Sequence, residues 1–290
     1  DIDQLKYAMD RMQHNLQPEI MIVGKNIDLS KFSIEEYLKR NNNISKVNIA
    51  YASNYINIKP EYSLWYQVSQ IHQNEEAMEN ASEEALDLYE VALAIIDEII
   101  DDTMTDYEKE KAIHDYIVLN TEYGLQNGDN AYTITGVLKD QIAVCQGYAE
   151  TFKMFMDLIE IECYLVVGVA TEDHEWNIVK IDGKYYHVDV TWDDPTPDKK
   201  GEVSYLYFNI TDDMIRKDHT WYNRNLPVCD SIEQNYFYKE NLWVGSLKEL
   251  KYRVRQDFNN NESVLEYYCD FETEEELSKW IINVITDYGY

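Results

Sequence analysis

Three short motifs carry side chains able to do nucleophilic chemistry on a carbonyl. Ala143-Val144-Cys145-Gln146-Gly147-Tyr148-Ala149 comes first, His174-Glu175-Trp176-Asn177 second, and His187-Val188-Asp189-Val190-Thr191-Trp192-Asp193-Asp194-Pro195 third. One cysteine, one histidine and one aspartate suit thiol acyl transfer. A thiolate attacks, an imidazole shuttles the proton, and a carboxylate holds the imidazole in the useful tautomer.

The elements around these residues say how they would be positioned. From Tyr148 the apolar residues recur at Phe152, Phe155, Met156 and Ile159, the spacing of one helical face. Cys145 therefore falls at a helix start, where unpaired backbone N–H groups and the positive end of the macrodipole favour thiolate over thiol. Gly147 and Ala149 keep bulk low beside it, so another element can approach. A buried core cysteine is the plain alternative for any single Cys.

His174 to Ile181 and Lys184 to Thr191 read as two strands joined by Asp182-Gly183, a pair that favours a two-residue type I′ turn. That register pairs Ile181 with Lys184, Trp176 with Asp189 and His174 with Thr191. His174 and Asp189 then share a face as diagonal neighbours, and a slip of one residue would part them. Val179, Ile181, Val188 and Val190 form the opposite face, expected to look toward the core. His187 lies on the face of His174 but nearer the turn, and reads as a structural or supporting residue. Trp176 and Trp192 read as packing and walls of the site, and Asp193-Asp194 before Pro195 as a turn.

Cys145-Gln146-Gly147-Tyr148-Ala149, His174-x-Trp176-Asn177 and Val188 through Pro195 together resemble the core of the transglutaminase-like superfamily, over roughly Thr105 to Trp221. The bacterial transglutaminase/protease-like proteins are the branch the pattern resembles most. The resemblance implies an α+β fold with a papain-like core, a nucleophile helix packed on an antiparallel sheet. It makes Cys145 the nucleophile, His174 the general acid/base and Asp189 the orienting carboxylate. For the oxyanion it suggests the Cys145 backbone N–H, with Gln141, Tyr132 and Trp176 as further candidates and His187 as support. The substrate would be an amide bond of a peptide or protein, a basic or cell-wall peptide included. The thioester would be resolved by water in a peptidase or amidase, or by an amine in a transglutaminase; a glycan-amidase is a third outcome. Members lacking the cysteine make a non-catalytic binding or scaffold protein of the cell surface the alternative.

Composition narrows the partners. A net charge of −30 over 290 residues argues against nucleic acid and against an anionic bilayer surface. A basic partner fits that charge, although acidity often serves solubility alone. No apolar run is long enough to span a bilayer. Cys145, Cys163, Cys229 and Cys269 are too sparse for a disulfide scaffold; Cys163 reads as core, and Cys229 and Cys269 as a possible pair. No zinc spacing or calcium loop is present, so neither metal nor cofactor is expected. A start at Asp1 reads as a processed or trimmed product, which leaves an extracellular or cell-envelope location as the expectation and the cytoplasm as the other. The 25 tyrosines read as half-buried strand residues rather than as a binding cleft.

Three segments are expected: an α/β module over 1–75, a catalytic core over 80–225 and a second α/β module over 226–290. In the first, a helix over Asp3–Asn15, a strand at Glu19–Val23, a helix over Ser33–Arg40 broken by Asn41-Asn42-Asn43, and strands at Val47–Tyr51, Tyr55–Pro60 and Leu64–Ile71 are predicted. His72–Ser82 reads as a linker. Capped helices follow at Ser82–Ile100 and Thr105–Asn120, then strands at Glu162–Val169, Glu175–Ile181, Tyr185–Thr191 and Tyr205–Phe208. The tail reads as strands at Tyr236–Tyr238, Leu242–Val244 and Val264–Cys269, with helices over Ser246–Phe258 and Thr273–Thr286.

Overall fold

Leu5, Met9 and Met12 recur at helical spacing and form the buried stripe of α1 (Ile2–His14). β1 (Ile20–Val23), α2 (Ile34–Lys39), β2 (Ile44–Ala52) and β3 (Tyr55–Tyr62) follow, and the strands pair antiparallel in the order β1-β3-β2. The two helices pack on that sheet through Leu5, Met9, Ile34, Leu38, Ile56 and Ile58. The Ser33 hydroxyl accepts the Glu36 N–H at 3.2 Å, capping α2. The computed structural model describes residues 2–24, 29, 32–39, 43–52, 54–197, 199–222, 225–260 and 266–270. Arg40, Asn41, Asn42, the first part of the Val264–Cys269 strand and the Thr273–Thr286 helix lie outside them. The chain divides into two units, 1–231 and 232–290, so the segments 1–75 and 80–225 fall within one of them.

Four helices come next: α3 (Leu64–Gln73), α4 (Glu75–Asn80), α5 (Glu83–Ile99) and α6 (Asp106–Asn120). Two of them correct the sequence reading. Leu64–Ile71 is helix rather than strand, because Trp65, Val68, Ser69 and Ile71 turn together into a helical layer instead of alternating across a sheet. His72–Ser82 is not a linker; the Asn74 side chain accepts the Glu76 N–H at 3.0 Å and starts α4. α5 and α6 begin where their caps predict. Thr105 and Glu108 close a capping box on α6, whose buried stripe includes two polar residues, Glu110 and His114.

After α6 the chain makes β4 (Glu122–Tyr123), a 3-10 turn over Gly128–Tyr132, a π-helical turn over Gly136–Asp140, and β5 (Ile142–Ala143), which pairs parallel with β4. α7 (Cys145–Leu158) follows at once. β6 (Cys163–Val169), β7 (Asp173–Ile181) and β8 (Lys184–Val188) form an antiparallel sheet in the order β8-β7-β6-β9, where β9 (Thr220–Trp221) lies beyond a short α8 (Asp212–Ile215). α7 packs along β7, with α3 and α6 against its other sides. The architecture is thus α+β, with a helix that begins at Cys145 laid on an antiparallel sheet.

The β7–β8 hairpin has the predicted register from Ile181↔Lys184 to Asn177↔Val188. Asp182 and Gly183 have φ of 50° and 77°, as a type I′ turn requires. The ladder stops at Val188, however, so the expected Trp176–Asp189 and His174–Thr191 pairs do not form. Asp189 leaves the strand because its N–H is taken by the Tyr207 carbonyl at 3.1 Å. The predicted Tyr205–Phe208 strand is likewise absent. The Tyr207 N–H bonds the Asp193 carboxylate at 2.9 Å instead of a neighbouring strand. Both faces of β7 are buried, not one. Beneath the face of His174, Trp176 and Ile178 pack with Val166, Ile210, Ile215 and Cys229.

The second unit, taken by itself, has α9 (Tyr236–Lys239), β10 (Trp243–Val244), α10 (Leu247–Asn259) and β11 (Tyr268–Cys269), with β10 and β11 parallel. Tyr236–Tyr238 is helix rather than strand, started by the Asn235 side chain. Val244, Leu250 and Val254 are its core. Among the described residues no helix is long and apolar enough to cross a membrane.

Candidate active site

Cys145 is the first residue of α7, and its N-cap is Val144, which has no side-chain acceptor to offer the first turn. The thiol is partly exposed and sits where helix N–H groups point outward without a cap. Backbone bonds build the mouth around it. The Tyr123↔Ala143 bridge sets Tyr123 on one side, and the Val144 N–H to the Ala131 carbonyl, 3.0 Å, sets Tyr132 on another. Both phenols remain accessible, 38% and 44% exposed. Burial, and the negative charges of Cys145 and Glu172, push the Tyr123 phenol up. Gly147 permits this closeness, since a Cβ there would stand 2.6 Å from the Ala131 carbonyl oxygen.

His174 ends up between Cys145 and Asp189. Its Nε2–H donates to Asp189 Oδ2 at 2.7 Å, and Cys145 is close enough to act on the charge of the ring, whose other nitrogen is Nδ1. Burial works against the charged ring, but Asp189 and Cys145 outweigh it and raise the imidazole to about 10. Trp176 stacks on the ring at 6.0 Å and Trp192 tilts against it at 6.0 Å.

Asp189 is fully buried and accepts four hydrogen bonds. The N–H groups of Thr191 and Trp192 reach Oδ1 at 3.1 Å each; His174 and His219 reach Oδ2 at 2.7 and 3.0 Å. Burial would raise this carboxyl, yet the two imidazoles hold it below the ordinary aspartate range. His219 was not singled out from the sequence. Its signal was there: His219-Thr220-Trp221 repeats the His-x-Trp pattern of His174-Glu175-Trp176, and both segments pair with Gly168.

A second tier holds the Asp189 turn. His114 on α6 bonds Asp193 at 3.2 Å through Nε2 and Asp115 at 3.1 Å through Nδ1. Burial opposes its charge, but the two carboxylates raise it to about 9. Burial raises Asp193 to about 6 against the pull of His114. Asp194 accepts the Tyr148 hydroxyl at 2.5 Å, tying the turn to α7. Asp193 and Asp194 thus brace a turn.

The remaining candidates have other partners. Gln141 is exposed, in a left-handed turn with φ of 57°, and its carbonyl accepts the Glu122 N–H at 2.9 Å. The Trp176 indole donates to His187 Nδ1 at 3.0 Å, so its one N–H is already used. His187 in turn gives its Nε2–H to Asp212 at 2.9 Å. Burial lowers His187 further than Asp212 raises it.

Among the described residues, two groups have metal-like spacing: His174, Asp189 and His219, and His187, Asp212 and Cys229. In the second, His187 Nδ1 must accept the indole proton, so Nε2 keeps its hydrogen and has no lone pair for a cation. In the first, both Nε2 atoms are spent on Asp189. All four cysteines are free thiols.

Residues 93–190, from α5 to the turn that carries Asp189, match the family model of the Transglutaminase-like superfamily. This stretch of the chain is similar to a transglutaminase-like core. Among curated proteins, the human Kyphoscoliosis peptidase is 26% identical over 192 residues, which is 56% of this chain and 29% of that protein. The mouse Kyphoscoliosis peptidase is 25% identical over 115 residues, 34% of this chain and 17% of that protein. The chain therefore spans less than a third of the length of these relatives. A solved transglutaminase (TGase) structure aligns with a TM-score of 0.34 at 15% identity, over 72% of this chain and 58% of that one.

Proposed function

We propose that this protein is a cysteine-dependent acyl-transfer enzyme acting on amide bonds of peptides or proteins. The observation that carries the reading is the His174 ring, held at 2.7 Å by a buried carboxylate and facing a thiol at an uncapped helix start. The Cys145 thiolate attacks the amide carbonyl, and the backbone N–H groups of the first α7 turn stabilise the oxyanion. His174 Nδ1–H passes its proton to the departing amine as the C–N bond breaks, leaving a thioester on Cys145. Neutral His174 then takes a proton from water, which yields acid, or from an amine, which yields a new amide; free thiol is restored either way. The same three side chains serve both outcomes. A peptide with basic residues suits the net charge of −30 and the Glu172 carboxylate near Tyr123.

The test is mass spectrometry of the protein with peptide libraries and with a glutamine peptide plus a primary amine. Expected is an acyl adduct on Cys145, followed by hydrolysed or amine-coupled product. Wild-type turnover by Cys145→Ala would overturn the reading. A Cys145 no faster than Cys163 toward limiting iodoacetamide would favour a binding protein with an inert thiol.

A further inference from the structure

Asp189 serves two imidazoles, and only one of them faces the thiol. His219 precedes β9, with no exposed surface, and its backbone N–H is anchored on the Ile215 carbonyl at 2.9 Å. Its Nε2 lies 3.0 Å from the same Asp189 oxygen that His174 uses, and its Nδ1 lies 2.6 Å from Asp218 Oδ1. Asp218 is fixed from the other side by the Tyr207 hydroxyl at 2.6 Å. The ring is packed against Trp192 at 4.5 Å, Trp176 at 5.1 Å and Tyr207 at 5.5 Å. It has one orientation, and in that orientation it aims Nε2 at Asp189.

We propose that His219 is a positioning residue of the acyl-transfer site: its Nε2–H bond to Asp189 Oδ2 fixes that carboxylate against His174 and draws off part of the charge that His174 would otherwise feel. A carboxylate oxygen that accepts two N–H bonds holds each more weakly than one devoted to a single donor. Losing the His219 bond would therefore strengthen the hold of Asp189 on the charged form of His174. It would also free the Asp189 side chain to rotate, because only the two backbone N–H groups would then oppose the pull of His174. The groups facing His219 are Asp189 and Asp218, the His174 ring at 5.4 Å, Tyr207 and His187. Among these, Asp189 is the one hydrogen-bonded to both His219 and His174. The inference rests on the reading of Cys145, His174 and Asp189 as the reacting set.

The experiment compares pH profiles of kcat/KM for wild type, His219→Gln and His219→Phe on whichever peptide wild type turns over. His219→Phe should lower kcat/KM by about tenfold to a hundredfold, the usual cost of removing an orienting partner. His219→Gln, which keeps an N–H donor, should recover most of that loss. The alkaline limb should move up by about half a unit or more in His219→Phe, because His174 holds its proton longer. A limb that stays put while activity falls reduces His219 to packing and overturns the proposal. ¹⁵N-histidine NMR of the wild type is independent of how the variants fold. It should show a hydrogen on Nε2 of both His174 and His219, and a bare Nε2 on His219 would also overturn it. Activity retained by Cys145→Ala would instead sink the reading beneath, and the NMR result distinguishes the two failures.

Discussion

Among the described residues, two groups beside the β8-β7-β6-β9 sheet each bring together a cysteine, a histidine and an aspartate, and they differ in how the histidine is used. Cys145, His174 and Asp189 form the first; Cys229, His187 and Asp212 form the second. Both histidines have a carboxylate on Nε2, at 2.7 and 2.9 Å. The difference lies at Nδ1. His174 makes no bond through that nitrogen to the described residues, and the partly exposed Cys145 at the helix start acts on its ring. His187 spends it on the Trp176 indole. Cys229 is buried, and burial together with the nearby Asp212 charge pushes its thiol up. A histidine becomes a proton shuttle only if its second nitrogen is left for the reaction.

The sharpest way to break this comparison is to exchange the cysteines for alanine. Cys145→Ala should remove turnover, a loss of about a thousandfold or more, while Cys229→Ala should leave kcat/KM within about twofold. Equal losses in steady-state assays would erase the distinction. The next contrast sets Asp189 of the first group against His187 of the second. Asp189→Asn should lower kcat by about 10³–10⁴-fold through loss of tautomer control. His187→Gln should act on stability, costing about 1–3 kcal/mol for the disturbed buried bonds to Trp176 and Asp212, with kcat/KM within about threefold. A kinetic defect in His187→Gln with unchanged melting would reverse the two roles.

The pH dependence sharpens the same contrast. With His174 raised to about 10, kcat/KM should hold through neutral pH and fall only as the imidazolium deprotonates near that value. A limb near 6.5 would mean that His174 lacks its two partners. A smaller effect belongs to the brace beneath Asp189. His114 is ionised up to about 9 in the fold and to about 6.5 in the unfolded chain. Its contribution to stability is fully present below 6.5 and is lost as pH rises through about 9. Denaturation midpoints should fall across that window, and His114→Phe should flatten the slope; an unchanged slope would detach His114 from the turn. The smallest effect is on encounter. Binding of a basic peptide should weaken as salt shortens the field to ~8 Å at physiological ionic strength, and salt-independent KM would remove basic peptides from the substrate class.

Much of this was legible in the chain. The Tyr148–Ile159 periodicity located α7 and put Cys145 at its start, and Asp182-Gly183 set the hairpin register. Trp65 to Ile71 was not legible, because a run of mixed polar and apolar residues fits strand or helix until the packing partners exist. The Tyr205–Phe208 segment misled for a related reason. Its aromatic alternation suits a strand, but the Asp193 carboxylate captured the Tyr207 N–H that a ladder would have used. The pairing of Asp189 with His174 was anticipated, although by a ladder contact that the structure replaces with a turn.

The sequence alone determined the devices that depend on residues a few positions apart: the helix start at Cys145, the I′ turn and the capping box on α6. These follow from local sterics and hydrogen bonds, so neighbours along the chain suffice. Which histidine shares Asp189 was decided only by the tertiary structure. His219 stands 30 positions from Asp189 and His114 stands 79 from Asp193. No local preference links such residues. They meet because the folded sheet and α6 bury them together, and a buried carboxylate must find donors wherever the fold brings them.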